Sequence, residues 1–216
     1  MKITHLLLAL FALAIGTASL ASGQENLLLQ HVHAGYGTVA TDQHLMGIPS
    51  WRYYELQTSG VAFCFSNDTA GQCPCGNSVT ADWGRGGCPA QGERNPRLEV
   101  QGQTRFGAGG GDFARFLADF VGDGPVFLLQ ADTATLQGRP FGNGLLCLGG
   151  SMRRVATTMA YNGFAMVPPA PGFDLAARFG VTGPGWRYYQ VAYRMPEGFC
   201  NPAAVGFTNA VAVLWR

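Results

Sequence analysis

Residues 63–89 read FCFSNDTAGQCPCGNSVTADWGRGGCP, and this stretch decides how the rest of the chain is read. It places Cys64, Cys73, Cys75 and Cys88, four of the six cysteines, in one loop rich in Gly, Asn and Asp. An even number of cysteines in an exported chain is a disulfide framework. Cys73 and Cys75 flank a single proline, and a bridge between them would strain the bond geometry. Two local solutions remain: Cys64–Cys73 with Cys75–Cys88, or Cys64–Cys75 with Cys73–Cys88. In either case Cys147 and Cys200 are expected to join each other, and each bridge is worth about 3 kcal/mol by restricting the unfolded chain. A zinc knuckle is the rival use of the four thiols, but C-P-C lacks the C-x-x-C spacing of structural zinc sites. Asn67, Asp68, Asn77 and Asp82 are oxygen donors of the kind calcium takes. They do not fall at the alternating positions of a calcium loop, and Asx residues in such turns serve backbone hydrogen bonds. Asn67-Asp68-Thr69 is also a glycosylation sequon.

Export is read from residues 1–23. Lys2 supplies the positive end, Leu6 to Ile15 the apolar run, and Ala18, Ser19, Ala21, Ser22 and Gly23 the small residues of a cleavage region. The run is too short for a bilayer core of about 30 Å. No later segment is apolar for long enough, so no membrane span is expected in the mature chain. Residues 24–216 are expected to form a single secreted β domain, secreted outright or held in the periplasm or at the cell surface.

Lys2 is the only lysine, so 13 carboxylates face arginine alone and the mature charge is near zero. Such a chain has no long-range field to gather phosphates, which disfavours nucleic acid as a partner. Low charge with abundant Gly and Pro suits many strands and turns better than a helical bundle.

Strands are expected at Leu27 to His33, Tyr36 to Ala40, Trp51 to Leu56, Val61 to Phe65, Arg97 to Val100 and Pro125 to Gln130. Asn143-Gly144 and Asn162-Gly163 are tight-turn dipeptides, and Leu145 to Tyr161 between them reads as two strands. Trp186 to Arg194 and Phe207 to Trp215 close the chain. Asp112 to Phe120 is ambiguous: Phe113, Phe116, Leu117 and Phe120 have helical spacing behind an Asp112 cap, yet the segment is short enough to be a strand. Gly107 to Gly111 lacks the Gly-Lys-Ser/Thr ending of a phosphate loop. The expected fold is all-β, an antiparallel β-sandwich or jelly roll stapled by disulfides.

Several phrases together resemble a family of secreted proteins abundant in Planctomycetes and some other environmental bacteria. They are CPCGN (Cys73 to Asn77) with Gly87-Cys88, FGNGLLCLGG (Phe141 to Gly150) with an arginine pair after it, and YRMP…C…GFTNAVAVLW (Tyr193 to Trp215). The resemblance covers roughly Phe63 to Arg216. It implies an exported β-rich protein and a strand, a turn and a second strand over Asp112 to Gln130. It supplies no catalytic residues. Asn143 and Met195 stand where the family pattern has Asp.

Three kinds of chemistry are open to the residues. His31 and His33 point to one face of a strand, about 6.5–7 Å apart, and can chelate copper or zinc with His44 as third ligand. Met46 nearby suits copper. The alternative is an edge strand showing two histidines to solvent. Catalysis has little support: no G-x-S-x-G elbow surrounds Ser50, Ser59, Ser66, Ser78 or Ser151, and the scattered acids do not define a glycosidase pair. WRYY occurs twice, so Trp51, Tyr53, Tyr54, Trp186, Tyr188 and Tyr189 offer flat faces for stacking on sugar rings. Their alternative fate is the core, or pairing as partner strands. The sequence therefore favours a non-catalytic binding or structural module at or beyond the cell surface, with polysaccharide or a surface protein as partner.

Overall fold

The computed structural model describes residues 60–78, 85–90, 94–105, 114–168, 174–195, 200 and 202–216. All of them fall in one of the two compact units into which the chain divides, Gly47–Arg216. The expected strands before Gly60 lie outside the described residues. In chain order the elements are β1 (Gly60–Phe63), β2 (Arg97–Gln101), β3 (Arg115–Asp119), β4 (Gly124–Phe141), β5 (Gly144–Ala160), β6 (Phe164–Val167), α1 (Leu175–Arg178), β7 (Gly185–Arg194) and β8 (Val205–Trp215). One sheet has the order β1-β8-β7-β4-β5 and the other β2-β3-β6, and every neighbouring pair is antiparallel.

Period-2 alternation makes the core. Val126 and Leu128 of β4, Tyr189, Val191 and Tyr193 of β7, and Val211, Val213 and Trp215 of β8 point inward. Leu98, Val100, Phe116, Ala118, Ala165 and Val167 of the smaller sheet meet them in the same cluster. Two antiparallel sheets sharing one apolar layer are a β-sandwich. Asn209 of β8 joins the layers: its Oδ1 accepts from Leu98 N at 2.9 Å and its Nδ2 donates to Leu98 O at 3.0 Å. Asp174 caps α1 by accepting from Ala177 N, and Phe179 just beyond packs edge-on against Phe116.

The ambiguous segment holds strand β3, the reading the family resemblance implies, and two other sequence expectations are corrected. A helix would bury Phe116 and Phe120 on one face, whereas Phe116 is buried and Phe120 is 40% exposed. Leu145 to Tyr161 falls in one long strand followed by the Tyr161 bridge, not in two strands. Gly149-Gly150 sits within β5 without ending it, with Gly150 at φ +60° and a register shift opposite it between Ala131 and Thr133. The β4–β5 loop is Gly142-Asn143, one residue earlier than expected, because Phe141 already pairs with Gly144. Asn162-Gly163 does form a two-residue turn, with φ of +52° and +75°, the left-handed pair that Asn-Gly favours.

The disulfides are Cys64–Cys147, Cys73–Cys88 and Cys75–Cys200. Cys73–Cys88 is one of the local bridges weighed from the sequence. Cys64 bonds neither Cys73 nor Cys75, and Cys147 does not reach Cys200. The reason is tertiary. Gln190, on the β7 face opposite the core, donates to Leu145 O and Thr208 O at 2.8 Å each and accepts from Cys147 N at 3.1 Å. The distal half of the bulged β4–β5 hairpin therefore lies against the outer face of its own sheet. That carries Cys147 to Cys64, just past β1, and sets Asn143 against Cys75 and Cys200.

Close approach also fixes Gly87, whose N–H donates to Pro96 O. A Cβ there would lie 1.9 Å from Phe207 O, a contact no rotamer relieves. Gly87→Ala is expected to lower stability by about 3 kcal/mol or more. A urea midpoint equal to wild type would show that the loop has room to shift.

Candidate functional site

The expected aromatic platform separates in the structure. Tyr189 is core: it is fully buried, and its hydroxyl accepts from Trp215 Nε1 at 2.9 Å and from Gln130 Nε2 at 3.0 Å. Burial raises its phenol pKa far above the ordinary value, so it stays neutral. This removes Tyr189 from the binding surface. Tyr188, one residue earlier, points to the outer face and packs edge-on against Phe63 at 6.1 Å between centroids. Trp186 is 38% exposed beside Leu214, its β8 partner. Trp51, Tyr53 and Tyr54 lie outside the described residues, so no pairing of the two WRYY segments is drawn.

The histidine triad His31, His33 and His44 also lies outside the described residues. Among the described residues, no group of three His, Cys, Asp or Glu side chains is placed to hold a metal. All six cysteines are in bridges, which leaves no thiolate for a zinc knuckle. Asn67 Oδ1 accepts from Thr69 Oγ1 at 2.6 Å and Asn77 Nδ2 donates to Pro89 O, while Asn77 Oδ1 is buried without a hydrogen-bond partner. Asp82 is outside the described residues.

A second aromatic group surrounds the Asn162-Gly163 turn. Phe120, Met159, Tyr161 and Phe164 are each at least 40% exposed, Tyr161 reaching 70%. The turn holding them is braced on three sides. Gly163 N donates to Asp123 Oδ1 at 2.9 Å, Val121 N donates to Gly163 O at 3.1 Å, and Tyr161 and Phe164 exchange both backbone bonds. The Arg94 guanidinium stacks over Phe120 at 5.2 Å, a cation–π contact.

Register carries this group into a row. Arg97 pairs with Asp119, Asp119 with Phe164 and Phe164 with Tyr161, and paired residues point to one face. Leu98, Ala118 and Ala165, the next residues on the three strands, point into the core. Arg97, Asp119 and Phe164 therefore face outward, with Glu99 held by Arg97 along β2. Guanidinium, carboxylate and two aromatic rings in sequence offer hydrogen-bond donors, acceptors and flat apolar surface side by side. Partial burial raises the Asp119 pKa above 3.8, Glu99 adds to this, and Arg97 opposes it.

The sign of that shift gives a pH effect. Just above pH 3.8 the folded chain holds a proton on Asp119 that the unfolded chain has released, so this group's contribution falls as pH rises through the window. Asp119→Asn is expected to be neutral to stabilising at pH 7, and its advantage over wild type is expected to shrink on acidification. Urea midpoints of both proteins at pH 4 and pH 7 check this. An advantage that grows on acidification would contradict it.

Sequence reasoning missed Phe120, Tyr161 and Phe164. For Tyr161 and Phe164 the signal was present, because aromatic residues directly flanking a two-residue turn have no strand beyond them to be buried against. No family model, no curated protein and no solved structure matches the chain. Among the described residues, no helix is long and apolar enough to cross a membrane.

Proposed function

We propose that the chain is an exported, non-catalytic binding module that holds polysaccharide on the row Arg97–Asp119–Phe164–Tyr161, and that it belongs with the secreted bacterial family its cysteine phrases resemble. Export rests on the leader pattern of residues 1–23 and is supported by three disulfides, which persist in oxidising compartments. The ligand class rests on one observation: the exposed aromatics are gathered at a braced turn beside a carboxylate and a guanidinium. Sugars present C–H faces that stack on rings and hydroxyls that bond to charged groups, and a preformed rigid site limits the ordering cost of binding.

Native affinity electrophoresis through gels containing soluble cell-wall and plant polysaccharides tests the reading. Retardation by at least one polysaccharide, without release of reducing ends, is the expected result. Release of reducing ends would move the protein to the hydrolases. Unretarded migration in every gel would remove polysaccharide and favour a surface protein as partner.

A further inference from the structure

The three disulfides differ in access and in what surrounds them. Cys64, Cys73, Cys88 and Cys147 are all buried, so both bridges among them are closed to solvent. Cys200 is exposed and Cys75 half-buried. Against this third bridge sits Asn143, itself completely buried. Its Oδ1 lies 3.4 Å from both the Cys75 and Cys200 sulfurs, and its Nδ2 has no partner.

A bridged sulfur carries no hydrogen, so neither sulfur donates to Oδ1. Rotating the amide only trades that mismatch for an N–H aimed at a weak acceptor. The side chain is thus a buried polar group left poorly satisfied by the closed bridge. Opening the bridge changes this. A Cys75 thiol donates to Oδ1, and a Cys75 thiolate accepts from the rotated amide N–H. The open state gains a hydrogen bond that the closed state lacks, which favours reduction at this bridge.

We propose that Cys75–Cys200 is a thiol–disulfide exchange site for an external dithiol. A thiolate of the dithiol attacks the exposed Cys200 sulfur. The S–S bond breaks, and the electron pair leaves on Cys75, where the Asn143 amide N–H receives it. The second thiol of the reagent then attacks its own sulfur in the mixed disulfide and releases Cys200. The dithiol leaves as a disulfide, its two electrons reduce the bridge, and two protons end on Cys75 and Cys200. Met195 N still donates to Ala204 O at 2.8 Å and Asn143 N to Val205 O at 2.8 Å. The base of the β7–β8 connection therefore stays closed after exchange, and opening is local.

The test is a dithiothreitol titration of the folded protein, followed by alkylation and mass mapping of each cysteine. Cys75 and Cys200 are expected to label together at a dithiol concentration about tenfold below that needed for the other four, with unchanged circular dichroism. Asn143→Ala is expected to narrow that gap to about threefold or less. A Cys75→Ser, Cys200→Ser double variant is expected to fold with both remaining bridges intact. The proposal is overturned if all six cysteines label together, if a buried bridge opens first, if the alanine variant leaves the gap unchanged, or if the double variant does not fold.

Discussion

Replacing Cys64 and Cys147 together by alanine is expected to lower unfolding free energy by about 4–5 kcal/mol. The bridge closes 83 residues of chain, and the entropy it removes from the unfolded state grows with the logarithm of that length. Its native-state role adds to this. Cys64 follows the edge strand β1, and Cys147 lies in the part of β5 folded over the outer face, so the bond fixes the bent hairpin to the sheet edge. Both sulfurs sit in a small apolar cluster with Leu145, Ala70 and Ala210, where alanine leaves unfilled space. Chemical denaturation of the double variant measures the loss, and hydrogen exchange locates it. Residues of the distal hairpin are expected to exchange fastest, while Val191 and Val211 stay protected. A loss below about 1 kcal/mol would mean that the hairpin holds its place without the bond.

Gln190→Leu is expected to cost about 4 kcal/mol although the side chain hardly changes in volume. The amide is fully buried and satisfies two carbonyls and one backbone N–H, joining β7 to β8 and to the folded-over hairpin. Leucine leaves those three groups buried without this partner, and each such group costs about 1–3 kcal/mol. The variant separates two explanations of the bend. If the bulges in β4 and β5 alone hold the hairpin, stability falls little. If the amide holds it, the urea midpoint drops and the hairpin amides lose protection together.

Much of the fold was legible because it is local chemistry. Asn162-Gly163 dictates its turn, the alternation in Ala210 to Trp215 dictates β8, and low charge with abundant glycine points to strands. The disulfide partners were hidden because nothing near Cys147 in the sequence says that the hairpin folds back. That information sits in Gln190, which reads as one polar interruption in WRYYQV. Tyr189 was misplaced for a different reason. Alternation assigns Trp186 and Tyr188 to one face and Tyr189 and Val191 to the other. When both sets are apolar it does not say which faces the second sheet. The aromatic row was hidden because it is assembled from β2, β3, β6 and Tyr161, four places in the sequence that only register brings side by side.

The most direct test compares affinities for a polysaccharide that the wild-type protein retains. Tyr161 and Phe164 are both well exposed, so the Tyr161→Ala, Phe164→Ala double variant is expected to keep wild-type stability while losing at least about tenfold in affinity. Trp186 lies toward the opposite end of β7 from Tyr193, which pairs with the start of β4. Trp186→Ala is therefore expected to bind as wild type does. Full affinity in the double variant, or its loss in Trp186→Ala alone, would contradict the assignment of the row as the binding surface.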